Sequence, residues 1–499
     1  MHNAASTALL QVITMIAGFI IPKVMMSVYG SEINGLGTSI KQFISAANLV
    51  QAGISAAAIY SLYKPLADKN IKIINGILTA TRNFYLKMGW IFVGIVFILA
   101  TLYPFWVSAE SVSYWEIFAL VLIYGFSSAL DFFTLARYQV LLTADQKTYI
   151  LSIASTVATV VNVVAFSGAA YAGLSIVWAR FIALSSVIVR TVMLIYYCRK
   201  SYDYLNFHEV PINEALNKRW DALYLQILGA GHTVAPVMLA TFFTDLKTLS
   251  VFAVYNLVAL GMQNVLGIFS SGLAASFGEI IAKKELNTLQ RAESEFEWAY
   301  YMLIAFCYGV AIVLIVPFIM IYTSGITDTN YDRPWIGILL MINGLLYNLK
   351  TPQGMLVISA GLYHETRWQT TIQGLLEAGG GAILGYFWGI YGILAGMIIS
   401  NVYRDIDLPF FISKYVTQIP AYKSFLRMIP LTLVVVGIWG VQQLVGYVPT
   451  TVPTWLLAAV AFSIVGLILA VLCSIIFEPA VTKRLVRRFL PKRNNERFF

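Results

Sequence analysis

From residue 454 to 478 the chain carries one charged side chain, Glu478, at the very end of the run. A helix needs about 20 apolar residues to cross the hydrocarbon of a bilayer, so this run is long enough, and thirteen of similar character precede it. In the first half they are 4–29, 36–62, 84–107, 115–142, 149–170 and 174–198; in the second, 219–243, 249–281, 298–322, 334–360, 368–388 and 391–414; a final pair follows at 422–446 and 454–478. Fourteen such spans with short connections use most of the 499 residues and leave little for a domain in water. Because backbone polar groups must be satisfied internally where water is absent, the class that follows is an all-α polytopic membrane protein. Composition agrees, with 59% hydrophobic and 11% charged residues against about 25% charged in soluble domains. A soluble enzyme, a secreted scaffold and a disordered chain are excluded. The three cysteines, Cys198, Cys307 and Cys473, lie in apolar runs without metal-ligand spacing, so neither a metal site nor a disulfide framework is implied. The first helix, without a basic segment before it, is expected to remain as a signal anchor.

The formal charge of +9 invites a nucleic-acid reading, but the one dense basic run is the tail Lys483, Arg484, Arg487, Arg488, Lys492, Arg493 and Arg497, directly after an apolar span. There it reads as a juxtamembrane anchor near anionic lipid, and no nucleic-acid partner is expected. With a cytoplasmic N-terminus the inner loops and tail hold 24 Lys and Arg and the outer loops hold two, Lys247 and Arg333. A miscounted span would invert every later loop and destroy this asymmetry. Both termini are therefore expected on the cytoplasmic side of the membrane.

The first six spans and the next six share landmarks at an offset of 214 residues. Pro22 matches Pro236, Gly53-Ile54 matches Gly267-Ile268, Lys69 matches Lys283 and Arg190 matches Arg404; Arg137 and Lys350 lie 213 apart. One offset kept over six spans argues for duplication. The domains predicted are an N-lobe at 1–200, a C-lobe at 201–420, accessory spans at 421–480 and a basic tail at 481–499. Two six-helix lobes of the same topology would enclose a central cavity and alternate its access by rocking.

Chemistry in such a chain is sought where charge sits at membrane depth, since a buried charge there costs at least about 2.5 to 3.5 kcal/mol. Seven bases fall within the spans, Lys23, Lys41, Arg137, Arg180, Arg190, Lys350 and Arg404, against the acids Asp131, Glu377, Asp405 and Asp407. Lys41, Ser45, Asn48 and Ser55 share one face of the second span, and Asn343, Tyr347, Lys350 and Gly354 repeat that spacing in the tenth. Thr7, Gln11, Thr14 and Gly18 form a third polar face leading to Pro22, which is expected to open the helix beside Lys23. The candidate anion-binding set is Lys23, Lys41, Lys350, Arg190 and Arg404, with Gln11, Asn48 and Asn343 as polar lining. Arg137 and Arg180 lie near helix ends, where snorkelling to the interface accounts for them at least as well as a place in the cavity. Arg404 with Asp405 and Asp407 has salt bridging as its alternative role. Asp131 and Glu377 either neutralise buried bases or couple transport to Na+ or H+. No cofactor is expected, and G-x-x-x-x-G-K-[ST] is absent.

The run from Gly18 to Lys69, GFIIPKVMMSVYGSEINGLGTSIKQFISAANLVQAGISAAAIYSLYKPLADK, resembles the opening of bacterial polysaccharide biosynthesis membrane proteins. These are oligosaccharide flippases of the multidrug, oligosaccharidyl-lipid and polysaccharide exporter superfamily. Pro22, Tyr29-Gly30, Asn34-Gly35-Leu36, Gln42-Phe43 and Tyr63-Lys64-Pro65-Leu66-Ala67 carry the resemblance. It implies two six-helix lobes plus two accessory helices, a cationic lumen, and an undecaprenyl-pyrophosphate-linked glycan carried from the inner to the outer leaflet. It also implies a polysaccharide polymerase and glycosyltransferases of the same pathway as partners, beside membrane lipid. The alternatives are a multidrug or cation exporter, which would prefer an acidic lumen, and a peptidoglycan-precursor flippase. A membrane-embedded polymerase would need carboxylates on an outer loop, where only Asp328 and Asp332 are found.

Overall fold

Long apolar runs with few Gly, Pro or charged interruptions become helices in lipid, and each of the fourteen runs carries helix in the computed structural model. The structure describes residues 2–49, 54–216, 219–271, 273–362 and 364–489; Gly53, Lys218, Lys492, Arg493 and Arg497 lie outside them. Among the described residues nine helices are, by length and composition, long and apolar enough to cross a membrane. The remaining runs are those that carry polar interruptions. The second is split into Ser31–Asn48 and Ile54–Ala67, the tenth into Pro334–Leu349 and Thr351–Ala360, and the eleventh is Arg367–Leu375 and Gly381–Trp388 around a π-turn. The seventh, Arg219–Phe243, has a shorter apolar part at Gly231–Phe243, and the twelfth, Ile390–Ile412, holds Arg404, Asp405 and Asp407. Such segments persist at membrane depth because neighbouring helices satisfy the freed groups. Pro22 is an exception to expectation: His2–Tyr29 runs through it as one helix.

Two compact units result, one of residues 1–253 with 325–329, the other of 254–324 with 330–499. In the first, the first span packs on the fifth, the third on the fourth and the fifth on the sixth. Within the second, the ninth packs on the tenth, the eleventh on the twelfth, and the last two spans cover the ninth.

Duplication is visible in the turns. After Ile54–Ala67 the chain reverses through Lys69 at φ 52, and after Ala274–Ala282 through Lys284 at φ 57. The hydrogen bonds correspond one for one: Asp68 N to Lys64 O, Lys69 N to Leu66 O and Asn70 N to Pro65 O recur as Lys283 N to Glu279 O, Lys284 N to Ile281 O and Glu285 N to Ile280 O. Gln146, at φ 57, and Gly361, at φ 71, form a second pair of reversals. The structural offset at both turns is 215, one residue more than the sequence landmarks give. At that offset Leu135, the last residue of the π-turn Asp131–Leu135 in the fourth span, corresponds to Lys350 at the joint of the tenth, so the regular helix is interrupted at equivalent positions of the repeat.

The seventh span, placed by the repeat in the C-lobe, packs within the first unit against the second span. Small and hydroxylated residues explain the approach. Gly35 lets the Leu246 carbonyl, just past the seventh span at the start of the helix Leu246–Ser271, come so close that a Cβ would sit 1.9 Å from its oxygen. Around it Asn34 donates to Ser250, the Ser39 and Thr241 hydroxyls lie 2.7 Å apart, and Tyr103 donates to Ser39 at 2.6 Å. Asp328 accepts from the Ser31 amide and hydroxyl and so caps the second span. Gly35→Val is therefore expected to cost about 1 to 3 kcal/mol of this packing and to separate the segments. A Ser39→Cys, Thr241→Cys pair tests it: the cross-link should form in the native background and be lost with Gly35→Val, and equal cross-linking in both would refute the packing argument.

Candidate anion-binding site

The first unit gathers cations that the sequence scatters over three spans. Lys41 lies one turn beyond Gly37, whose missing side chain admits the Tyr124 hydroxyl from the fourth span and the Met25 side chain from the first. The Lys41 ammonium consequently stands 5.9 Å from the centre of the Tyr124 ring. Arg180 reaches the same ring, at 5.2 Å, and stacks on Phe166 at 4.0 Å, the reversal at Gly173 (φ +77) folding the sixth span back on the fifth. Its guanidinium also contacts the Met25 sulfur, and its Nε is buried without an acceptor. Lys23, half-buried, lies two residues before Met25 on the same helix.

Arg180 is 5% exposed, yet neither it nor Lys41 has a carboxylate within salt-bridge distance among the described residues. Aromatic faces lower the cost of burying a cation by about 0.5 to 2 kcal/mol without cancelling its charge. An anion would complete the arrangement, and the Arg fork with the Lys point charge suits phosphate oxygens.

The other candidates in this unit are engaged differently. Arg190 pairs with Asp131 at 3.3 Å, and Asp131 opens the π-turn of the fourth span. Asn48 donates to Ser128 at 3.2 Å while its carbonyl oxygen finds no donor. Gln11 is exposed. Arg137 stacks on Phe207 and Tyr138, at 4.4 and 5.0 Å, in place of free snorkelling.

In the second unit Lys350 occupies the joint of the broken tenth span, where Pro352 lacks the amide needed to continue the helix. Its ammonium donates to Asn401, whose amide donates to Asn343 at 2.8 Å, and lies 4.9 Å from the Tyr347 ring. Asp405 and Glu377 both act on it electrostatically. Arg404 is tied to Asp407 and to Thr366, in keeping with the salt-bridge alternative, whereas the Asp405 carboxylate finds no hydrogen-bond donor among the described residues. Glu377 is buried at the second residue of the π-turn Leu376–Gly380. Acids act on the bases here, whereas no carboxylate lies within salt-bridge distance of Lys41 or Arg180 among the described residues.

Two features escape sequence reasoning. Arg180 reads there as a helix-end residue, because its aromatic seat comes from other spans. Arg427 reads as an inner-loop base, yet it is buried with Glu297 and Glu478, and Glu293, Glu295 and Glu297 are buried beside it. The alternation of three glutamates just before the ninth run was the available signal.

No protein-family model and no curated protein sequence matches the chain. Solved structures do. The lipid II flippase MurJ in an inward closed conformation aligns with TM-score 0.69 at 14% identity, over 97% of this chain and 99% of that one. An inward-facing multidrug resistance MATE family transporter of the MOP superfamily aligns with TM-score 0.64 at 13% identity, over 80% and 94%. A MATE structure in the bent conformation gives 0.54 at 12% identity, over 87% and 98%. The likeness is one of fold: this chain is an all-α, multi-pass membrane protein with the architecture that MurJ and MATE transporters of the MOP superfamily share.

Proposed function

We propose that the chain is a flippase carrying an undecaprenyl-pyrophosphate-linked oligosaccharide repeat unit from the inner to the outer leaflet of the bacterial cytoplasmic membrane, by alternating access, for surface polysaccharide of the O-antigen or capsule type. The observation that carries the reading is the pair Lys41 and Arg180 on one tyrosine ring without a carboxylate partner among the described residues. A pyrophosphate bears several negative charges and cannot enter hydrocarbon unaided. A cationic seat offsets that cost, while neighbouring amides and hydroxyls suit sugar hydroxyls. The 24 to 2 division of basic residues supports a cytoplasmic position for both termini. Glycosyltransferases that build the cargo and a polymerase that consumes it are the partners this implies. Coupling to Na+ or H+ is assigned to Asp131 or Glu377, each of which lies in a π-turn. π-turns of the kind that holds Glu377 recur at functional sites.

A peptidoglycan-precursor flippase is the second reading, favoured by the near-complete alignment with MurJ. It shares the anionic head group, so the same site would serve. A cation exporter fits the first unit less well, because its unbalanced charge there is positive. Flipping of a labelled lipid-linked precursor, followed in a strain deleted for the gene and complemented in trans, separates these readings. Lys23→Ala with Lys41→Ala should abolish flipping; unchanged flipping and polysaccharide assembly would sink the proposal. Deletion that strips surface polysaccharide but leaves the cell wall growing supports the first reading, and lethal wall failure the second.

A further inference from the structure

Outside the site around Tyr124, the second unit holds a groove of about 900 Å³ at the foot of the ninth, thirteenth and fourteenth spans. Arg291, Lys423, Arg427 and Arg484 line it, with Trp298 and Glu478. The charges are not equivalent. Arg427 is held by Glu297 and Glu478, and Arg484 by Glu295 at 2.8 Å, which leaves those two guanidiniums neutralised. Arg291 and Lys423 are exposed and have no carboxylate in salt-bridge distance among the described residues. Trp298 is 1% exposed, and its indole N–H has no acceptor. The rim is therefore positive, over a floor whose two guanidiniums are fully paired with Glu295, Glu297 and Glu478.

Two structural features say what the groove would face. The helix Pro479–Phe489, PAVTKRLVRRF, leaves the fourteenth span at Glu478 and forms one wall through Ala480, Val481 and Arg484; its alternation of apolar and basic residues is that of a helix lying in a membrane interface. Leu426 and Ile429 line the groove and lead to Leu433 and Val436 up the thirteenth span, all about half exposed, with Ile475 and Ile476 similarly bare on the fourteenth. A basic basin thus opens at the head-group level below an apolar track that only acyl chains would cover.

We propose that this groove binds the phosphate head group of an anionic phospholipid, held by Arg291 and Lys423, with its acyl chains on the Leu426 to Val436 track. The leaflet is the cytoplasmic one, which rests on the orientation proposed above and not on the identity of the cargo. Bound there, the lipid would bridge the ninth and thirteenth spans and fix the final helix against them.

Scintillation-proximity binding of radiolabelled phosphatidylglycerol to the purified full chain in a non-ionic detergent tests the site. Saturable binding is expected, competed by unlabelled phosphatidylglycerol but not by phosphatidylcholine, and weakened by salt. Arg291→Gln and Lys423→Gln should each lower affinity about tenfold, the loss of one charge-assisted contact, and Lys423→Arg should retain it. Both residues are exposed, so the variants keep the fold. Unchanged binding in both variants overturns the proposal. Competition by inorganic phosphate as effective as by the lipid also overturns it, because the ligand would then be a soluble anion. Lys41→Ala with Arg180→Ala should leave this binding intact; if that variant alone loses it, the lipid sits at the cargo site and the groove is not its place. None of these outcomes depends on whether the protein flips a glycan.

Discussion

Lys41→Ala combined with Arg180→Ala is expected to reduce flipping of an anionic lipid-linked precursor by a factor of about 100 or more, with little loss of folded protein. Each cation offers a charge-assisted contact worth about 1.5 to 3 kcal/mol to a bound anion, and a factor of 100 corresponds to about 2.8 kcal/mol. Stability should hold because the pair is held by aromatic faces and, among the described residues, makes no salt bridge whose loss would strand a carboxylate. Removing two like charges from one ring also relieves their mutual repulsion. Arg180→Lys should recover part of the activity, since a point charge is kept while the planar fork that stacks on Phe166 is lost. Transport by the double variant at the native rate, with normal expression, would show that the cargo does not use this site. By contrast, Lys350→Ala removes a base that Asp405 and Glu377 already balance, and its effect on cargo affinity should be smaller.

Arg427→Ala should be the most damaging single change to stability in the second unit. Arg427 donates to Glu297, which is 1% exposed, to Glu478 at 3.0 Å and to the Ser294 hydroxyl. Glu297 also accepts from Gln353 of the tenth span, so one guanidinium ties the ninth, tenth, thirteenth and fourteenth spans together. Truncation strands a carboxylate beside the equally buried Glu293, and breaking such a pair from one side costs about 3 to 5 kcal/mol. The measurement is thermal unfolding of purified protein in detergent, with a large fall in melting temperature expected. Arg427→Met with Glu297→Met should recover much of it, because replacing both partners by apolar groups leaves no buried charge. A single variant that melts with the native protein would show that water or another base satisfies Glu297.

Legibility from the sequence differed between these two sites for a physical reason. Lys23, Lys41 and Lys350 were visible as cations in apolar runs, and the helical spacing of Lys41 with Asn48 placed them on one face. Arg180 and Arg427 were visible only as helix-end bases, where snorkelling and the positive-inside rule accounted for them. What distinguishes them lies 14 to 130 residues away along the chain, in Phe166 and Tyr124 for the one and in Glu297 and Glu478 for the other. No periodicity links residues so far apart.

The turns give the opposite lesson. The repeat was read from Pro22 and Pro236 at 214, but hydrogen bonds at the Lys69 and Lys284 reversals put the correspondence at 215. A single extra residue is invisible among common apolar types and obvious in a backbone pattern.

The amino-acid sequence by itself determined that the chain lies in lipid, the number and order of its helices and the duplication, because these follow from apolar length and from periodicity along one strand of residues. Tertiary structure alone decided which buried charges are spent. It paired Arg190 with Asp131, Arg404 with Asp407 and Arg427 with Glu297, and it left Lys41 and Arg180 together on Tyr124. Charge compensation acts over a few ångströms in space, and the sequence records distance only along the chain.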